Sequence, residues 1–312
     1  MELSWLLAQQ TMSFAIMIMM GFAVVRAGLI KSEDSQALST LTIYVISPCM
    51  VVYAFQLEYS GDRLYGLLLA LGAALLYHVI FIPVSALAAR KLHLSAAEQG
   101  SIVYTNAGNF IVPLVYAILG REHVFYASAF VAVMNIFFFS HGVIMLGTDK
   151  KIQWKKIFLN PNMLAIFVGI FMFLTQIRFP SLIDTTISNV GGIIGPVSML
   201  LIGMLMAGEK ISSILRSPRV WGIVVTRLIV IPILFMALLR VTGMTRLFPH
   251  AGDVLLVTML AVAAPVAVMV TQVRNMYGAM EDAKHASAVN VLSVFVCIVT
   301  LPLMIMLYQA IR

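Results

Sequence analysis

Charge is scarce in this sequence. Only 11% of its 312 residues are Asp, Glu, Lys or Arg, and 61% are apolar. Soluble domains carry roughly a quarter charged residues and about half apolar ones, so a water-soluble globule is excluded and a lipid bilayer is the expected solvent. Cysteine is nearly absent: Cys49 and Cys297 both lie inside apolar runs, where they read as small packing residues and not as a disulfide framework or a metal site. Acidic residues are missing from the middle of every apolar run, since Glu58, Glu98, Asp184, Glu209, Asp253 and Asp282 all map to run ends. That argues against a carboxylate proton relay, while sodium held by amides and carbonyls stays open. There is no His-Glu-x-x-His, no Gly-x-Ser-x-Gly and no Walker glycine loop, so neither an enzyme, a cofactor nor ATP-driven pumping is expected. No loop is long enough to hold a soluble domain.

Apolar runs are abundant. Windows of roughly 20 residues, the length that crosses the hydrocarbon core, can be placed ten times, at about 5–25, 36–57, 63–89, 98–119, 122–147, 162–177, 181–208, 218–240, 252–273 and 284–309. The first contains Gln9, Gln10 and Thr11 and has no basic leader, so it reads as a retained span and not a cleaved signal. Lys and Arg set the orientation. With the N-terminus outside, thirteen of them fall in cytoplasmic loops: Arg26, Lys31, Arg90, Lys91, Lys150, Lys151, Lys155, Lys156, Lys210, Arg216, Arg219, Arg274 and Lys284. Six fall on the other side, Arg63, Arg121, Arg178, Arg240, Arg246 and Arg312, leaving Arg227 alone inside a span. Both termini are therefore expected outside the cytoplasm. The net charge of +7 follows from this bias and calls for no nucleic-acid partner.

The prolines repeat. Pro48 and Pro196 are 148 apart, Pro83 and Pro232 149, Pro113 and Pro265 152. Neighbouring residues repeat with them, as in Ile46-Ser47-Pro48 against Ile194-Gly195-Pro196, and Tyr126-Ala127-Ser128-Ala129 echoes His285-Ala286-Ser287-Ala288 at offset 159. The chain reads as a duplicated unit: repeat 1 over 1–147, a linker over 148–161 and repeat 2 over 162–312. Five spans per repeat is an odd number, which turns the second repeat upside down relative to the first. The expected fold is thus an all-α integral membrane protein of ten transmembrane helices in two inverted five-helix repeats. Lys150, Lys151, Lys155 and Lys156 around Trp154 make the linker a topology anchor with an interfacial tryptophan. The glycine-rich runs Gly191 to Pro196 and Gly203 to Gly208 indicate close helix contact, because small residues let backbones approach where lipid supplies no hydrophobic force between helices.

The fourth span reads Tyr104-Thr105-Asn106-Ala107-Gly108-Asn109-Phe110-Ile111-Val112-Pro113. Two amides, a glycine and a proline interrupt the helical ladder, since proline has no donor and blocks the carbonyl one turn earlier. Unwound backbone at membrane depth requires burial in protein or access to water. The ninth span breaks at Ala263-Ala264-Pro265-Val266-Ala267, so the two broken helices, 4 and 9, run in opposite directions and can cross, each aiming a positive half-helix N-terminus at one centre where an anion fits. Paired interrupted segments of this kind point to a transporter site near the midplane. Pro83 and Pro232, flanked by bulky aliphatics, read as kinks. Arg227 lies nine residues from Pro218 and so about 13 Å deep at a rise of 1.5 Å per residue. It must pair with something, either a substrate carboxylate or carbonyls freed by a broken helix. His78, its counterpart in repeat 1, reads as a neutral hydrogen-bonded core histidine.

These features together with Tyr277-Gly278, Asp282, Ala286-Ser287 and Thr300-Leu301-Pro302-Leu303 make nearly the whole chain resemble the auxin efflux carrier family, whose bacterial members include malate and malonate permeases. The resemblance implies an elevator-type secondary transporter with crossed fourth and ninth helices. It implies a scaffold of spans one, two, six and seven, a moving domain of the other six, and a homodimer formed through the scaffold. Carried over by position, the crossover asparagines correspond to Asn109 or Asn106 and the crossover prolines to Pro113 and Pro265. Where many members have a polar residue four positions after the second proline, this chain has Met269, leaving Gln272 as the nearest substitute. The expectation is an inner-membrane carrier of a small organic anion, a mono- or dicarboxylate, bound by Asn109, Asn106, Arg227 and Gln272, with sodium or proton coupling possible and no metal cofactor. The alternatives are a sodium-coupled symporter of the bile-acid type and a membrane sensor that keeps the fold without transport.

Overall fold

The computed structural model describes residues 2–147, 152, 154–208, 215–277 and 280–311. Lys150, Lys151, Glu209, Lys210, Gly278 and Arg312 lie outside that set. The described chain is helical, with no strand among its residues and one isolated antiparallel bridge. Seven helices are long and apolar enough to cross a membrane: α1 (Trp5–Arg26), α2 (Ser32–Ala54), α3 (Gly61–Leu92), α6 (Arg121–Leu146), α8 (Ser181–Ala207), α9 (Pro218–Thr242) and α12 (Glu281–Ile311). Between them lie shorter helices: α4 (Ala96–Val103), α5 (Ala107–Leu119), α7 (Pro161–Thr175), α10 (Ala251–Val262) and α11 (Val268–Tyr277). This is a multi-pass membrane architecture, in which helices satisfy the backbone internally where no water can.

Local signals start these helices where polar residues interrupt the apolar runs. Ser60 accepts the Arg63 backbone N–H at the start of α3, Ser95 and Glu98 form a reciprocal capping box on α4, and Asn160 accepts two N–H groups ahead of Pro161 at the start of α7. Such caps satisfy donors that have no partner within the helix. Three of the repeated prolines have a common local structure. Wide π-type turns at Thr42–Ile46, Ala107–Ile111 and Thr226–Val230 lead directly into Pro48, Pro113 and Pro232, each at the second position of the resumed helix. The wide turn accommodates the donor that proline lacks and the room its ring needs. Pro83 sits inside an unbroken helix.

Two sets of helix contacts frame the interior, and α1 also packs on α12 between them. In one, α1 runs along α8, and α2 packs on α7 and α8. Here backbones touch: a Cβ on Gly203 would stand 2.0 Å from the Ile18 carbonyl oxygen, and one on Gly21 would stand 2.2 Å from that of Leu200. The glycine-rich run of the seventh span is thus close helix contact, concentrated at Gly203 and at Gly191, whose Cβ would fall 2.8 Å from the Met50 backbone. In the other group, α3 packs on α6 and α10, while α12 packs on α9 and α11. The short half-helices α4, α5, α10 and α11 meet in the interior between Tyr104–Asn106 and Pro265–Ala267.

Candidate functional site

The chain unwinds at two places and pairs with itself there. The Asn106 N–H donates to the Pro265 carbonyl at 2.8 Å and the Ala267 N–H donates to the Tyr104 carbonyl at 3.0 Å, with Thr105 opposite Val266. Proline is tolerated at 265 because this pairing uses only its carbonyl. Pro113, expected at the crossover, lies instead further along α5, where the wide turn gives way to regular helix. It has no part in the pairing, because the break falls at Tyr104–Asn106, ahead of the wide turn.

Some of the other freed backbone groups are met by side chains. Val266 donates its N–H to Ser293 Oγ at 3.0 Å and accepts from Asn290 Nδ2 at 2.7 Å, while the Cys297 thiol points at the Ala263 carbonyl at 3.7 Å. These three residues lie on one face of α12, and sequence reasoning passes over the first two. Their signal is a polar pair three apart inside an apolar helix, followed four residues on by a small thiol. Both cysteines are free, and Cys297 is buried.

Arg227 is fully buried. Its guanidinium donates to the Val262 carbonyl at 2.7 Å, to the Ile102 carbonyl at 3.5 Å and to the Tyr77 hydroxyl at 3.2 Å, and Tyr77 in turn donates to the Val103 carbonyl at 2.8 Å. Ile102 and Val262 close α4 and α10, so this cation sits against the negative C-terminal ends of both half-helices. Of the two partners weighed for it, the freed carbonyls are the ones it contacts. His78 is also fully buried, its Nδ1 2.8 Å from the Ala74 carbonyl and its ring stacked on Phe137.

The opposite, N-terminal ends begin beside a cavity of about 540 Å³. Gly108 and Asn109 from the first turn of α5, and Val268, Met269 and Gln272 from the start of α11, line it together with Asn106. Three of the four residues expected in the site therefore share one cavity, and Arg227 is not among the residues lining it. The first N–H groups of a helix have no partner within it, so both half-helices present donors and partial positive charge at this place. Asn106 is 5% exposed, and its side-chain amide nitrogen has no partner among the described residues.

Among the other polar groups that line the same space, unforeseen, are Asn135 of α6 and Ser198 of α8, whose buried hydroxyl is also without a partner among the described residues. Asn135 has a legible signal, a lone amide within an apolar span. Ser198 has none. The cavity reaches the surface at Tyr44 and Leu159, which are 65% and 64% exposed, beside the short helix Trp154–Phe158. On the far side of the crossover, Leu7, Leu114, Val115, Leu256 and Leu260 line an apolar crevice with no room for water. The described lining of the cavity contains no Asp or Glu, and no cluster of potential metal ligands occurs among the described residues.

No individually curated protein matches the chain. A family model described as membrane transport protein matches residues 9–305. With that match over nearly its whole length, on a fold of apolar helices around an internal cavity, the chain belongs to this family of auxin efflux carrier-like membrane transporters.

Proposed function

We propose that this transporter carries a small organic anion, a mono- or dicarboxylate, by elevator-type alternating access. The observation that carries the reading is the convergence of two half-helix N-termini and the unpartnered Asn106 amide on a cavity whose described lining has no acidic residue. A carboxylate offers acceptors to such donors and negative charge to such helix ends. In this reading Asn106, Asn109 and Gln272 grip the anion, and Arg227 positions the two half-helices from behind without touching the cargo. The ten spans form two inverted repeats, 1–147 and 162–312. The group α1, α2, α7 and α8 is the scaffold, through which two copies associate in the inner membrane with all termini outside the cytoplasm, and the other helices move. The linker side is cytoplasmic, so the open cavity faces inward.

Thermal unfolding of purified protein against a panel of mono- and dicarboxylates tests this, because binding to the folded state raises stability by mass action. Stabilisation by at least one carboxylate is expected, with Asn109→Ala weakening affinity by about 0.5–3 kcal/mol. Asn109→Asp keeps the size but puts negative charge beside the carboxylate, and it should bind worse than the alanine variant. Stronger sodium-dependent stabilisation of Asn109→Asp would move the site toward cation binding, and wild-type behaviour of both variants would remove Asn109 from it.

A further inference from the structure

The rim of the cavity carries charge of one sign. Lys155 and Lys156 both line it, and among the described lining residues no other is charged. They stand on the short helix Trp154–Phe158. That helix is anchored by Ile157, which is 1% exposed, and by Phe158, half exposed, which stacks on Phe167 of α7 at 6.4 Å. Neither lysine has an ion-pair partner among the described residues. An anchor for membrane topology needs only basic residues somewhere in this linker. It does not require two of them fixed at the mouth of a cavity that ends at two helix N-termini.

We propose that Lys155 and Lys156 form a cationic vestibule that gathers small anions at the linker-side mouth of the cavity and repels small cations. A one-sign, low-dielectric cleft focuses the field and raises the local concentration and entry rate of the opposite charge. The vestibule acts on entry from this side, whose mouth carries it, whereas the crevice on the far side of the crossover is lined by apolar side chains. The physiological meaning rests on the anion-carrier reading, but the electrostatics can be measured without any substrate.

In a background of Cys49→Ser and Cys297→Ser, Met269→Cys places one thiol in the cavity. Its modification rates by an anionic and a cationic methanethiosulfonate of similar size are measured on purified protein in detergent at low salt. The anion-to-cation rate ratio is expected to fall about tenfold when Lys155→Gln and Lys156→Gln are added. The difference should vanish near 1 M salt, where screening acts within about 3 Å. Lys91→Gln, which removes a basic residue that does not line the cavity, should leave the ratio unchanged. An unchanged ratio in the double variant, or an equal fall with Lys91→Gln, overturns the vestibule and returns the two lysines to membrane anchoring. Carboxylate-dependent unfolding of the same proteins keeps the two claims apart. A fallen ratio without any carboxylate stabilisation leaves the vestibule standing and removes the carboxylate cargo. Stabilisation with an unchanged ratio does the reverse.

Discussion

Arg227 holds a position where its planar fork reaches two carbonyls and a hydroxyl on different elements at once. A lysine keeps the charge but loses the fixed geometry of the donors. Arg227→Lys is therefore expected to lower stability by about 1–3 kcal/mol, the cost of leaving a buried acceptor unmet, and to leave the carboxylate affinity of the folded fraction unchanged. Unfolding with and without ligand checks both halves; wild-type stability with lost binding would instead place the guanidinium on the cargo. What was legible at this scale follows from cost. Asn106 and Asn109 stand out in an apolar run because an amide there needs a partner, and Asn135 stands out for the same reason. Ser198 does not, since a serine in a membrane helix ordinarily bonds its own backbone one turn back. The partners of Arg227 were illegible because they lie 35 and 125 residues away in the chain, and only the tertiary arrangement brings both helix ends to one point.

Helices α1 and α8 touch through their backbones, so the contact depends on having no side chain at two places. Gly203→Val is expected to destabilise by about 3 kcal/mol or more, beyond the usual range for overpacking, because the obstacle is the Ile18 carbonyl 2.0 Å away and not a side chain that can turn aside. Gly192→Val, at a position with nothing within 4 Å, should be tolerated. Melting temperatures of the two variants make the comparison, and equal losses would refute the contact. The glycine-rich run announced close packing in the sequence, but not which glycines matter, since the facing residue is set by helix rotation. The proline echoes located the disturbed segments and missed their form: Pro113 marks a wide turn inside α5, and the actual break is upstream. Extended pairing between Tyr104–Asn106 and Pro265–Ala267 depends on non-local register, which no window along the chain reveals.

The described residues differ on the two sides of the crossover, with a roomy cavity that includes several amides toward residues 154–160 and a tight apolar crevice away from them. The Lys and Arg bias predicts a cytoplasmic linker. Single cysteines at Ser60 and Ile152, in a background lacking Cys49 and Cys297, should divide accordingly: an impermeant thiol reagent applied to intact cells should label position 60 and not 152. The opposite pattern would invert the topology and turn the open cavity outward.

The two hydrogen bonds that join Tyr104–Asn106 to Pro265–Ala267 at the crossover run from peptide group to peptide group. No single side-chain replacement deletes them, short of a proline at 106 or 267. The crossover beside the cavity is thus written in backbone, while the side chains of Gln272, Met269, Asn135 and Ser198 line the cavity as exchangeable parts. Heritable change in such a protein meets little resistance in altering what the cavity prefers and much in altering where it is. Cargo preference can drift by exchange of one side chain at a time, with the join between the two halves carried forward intact.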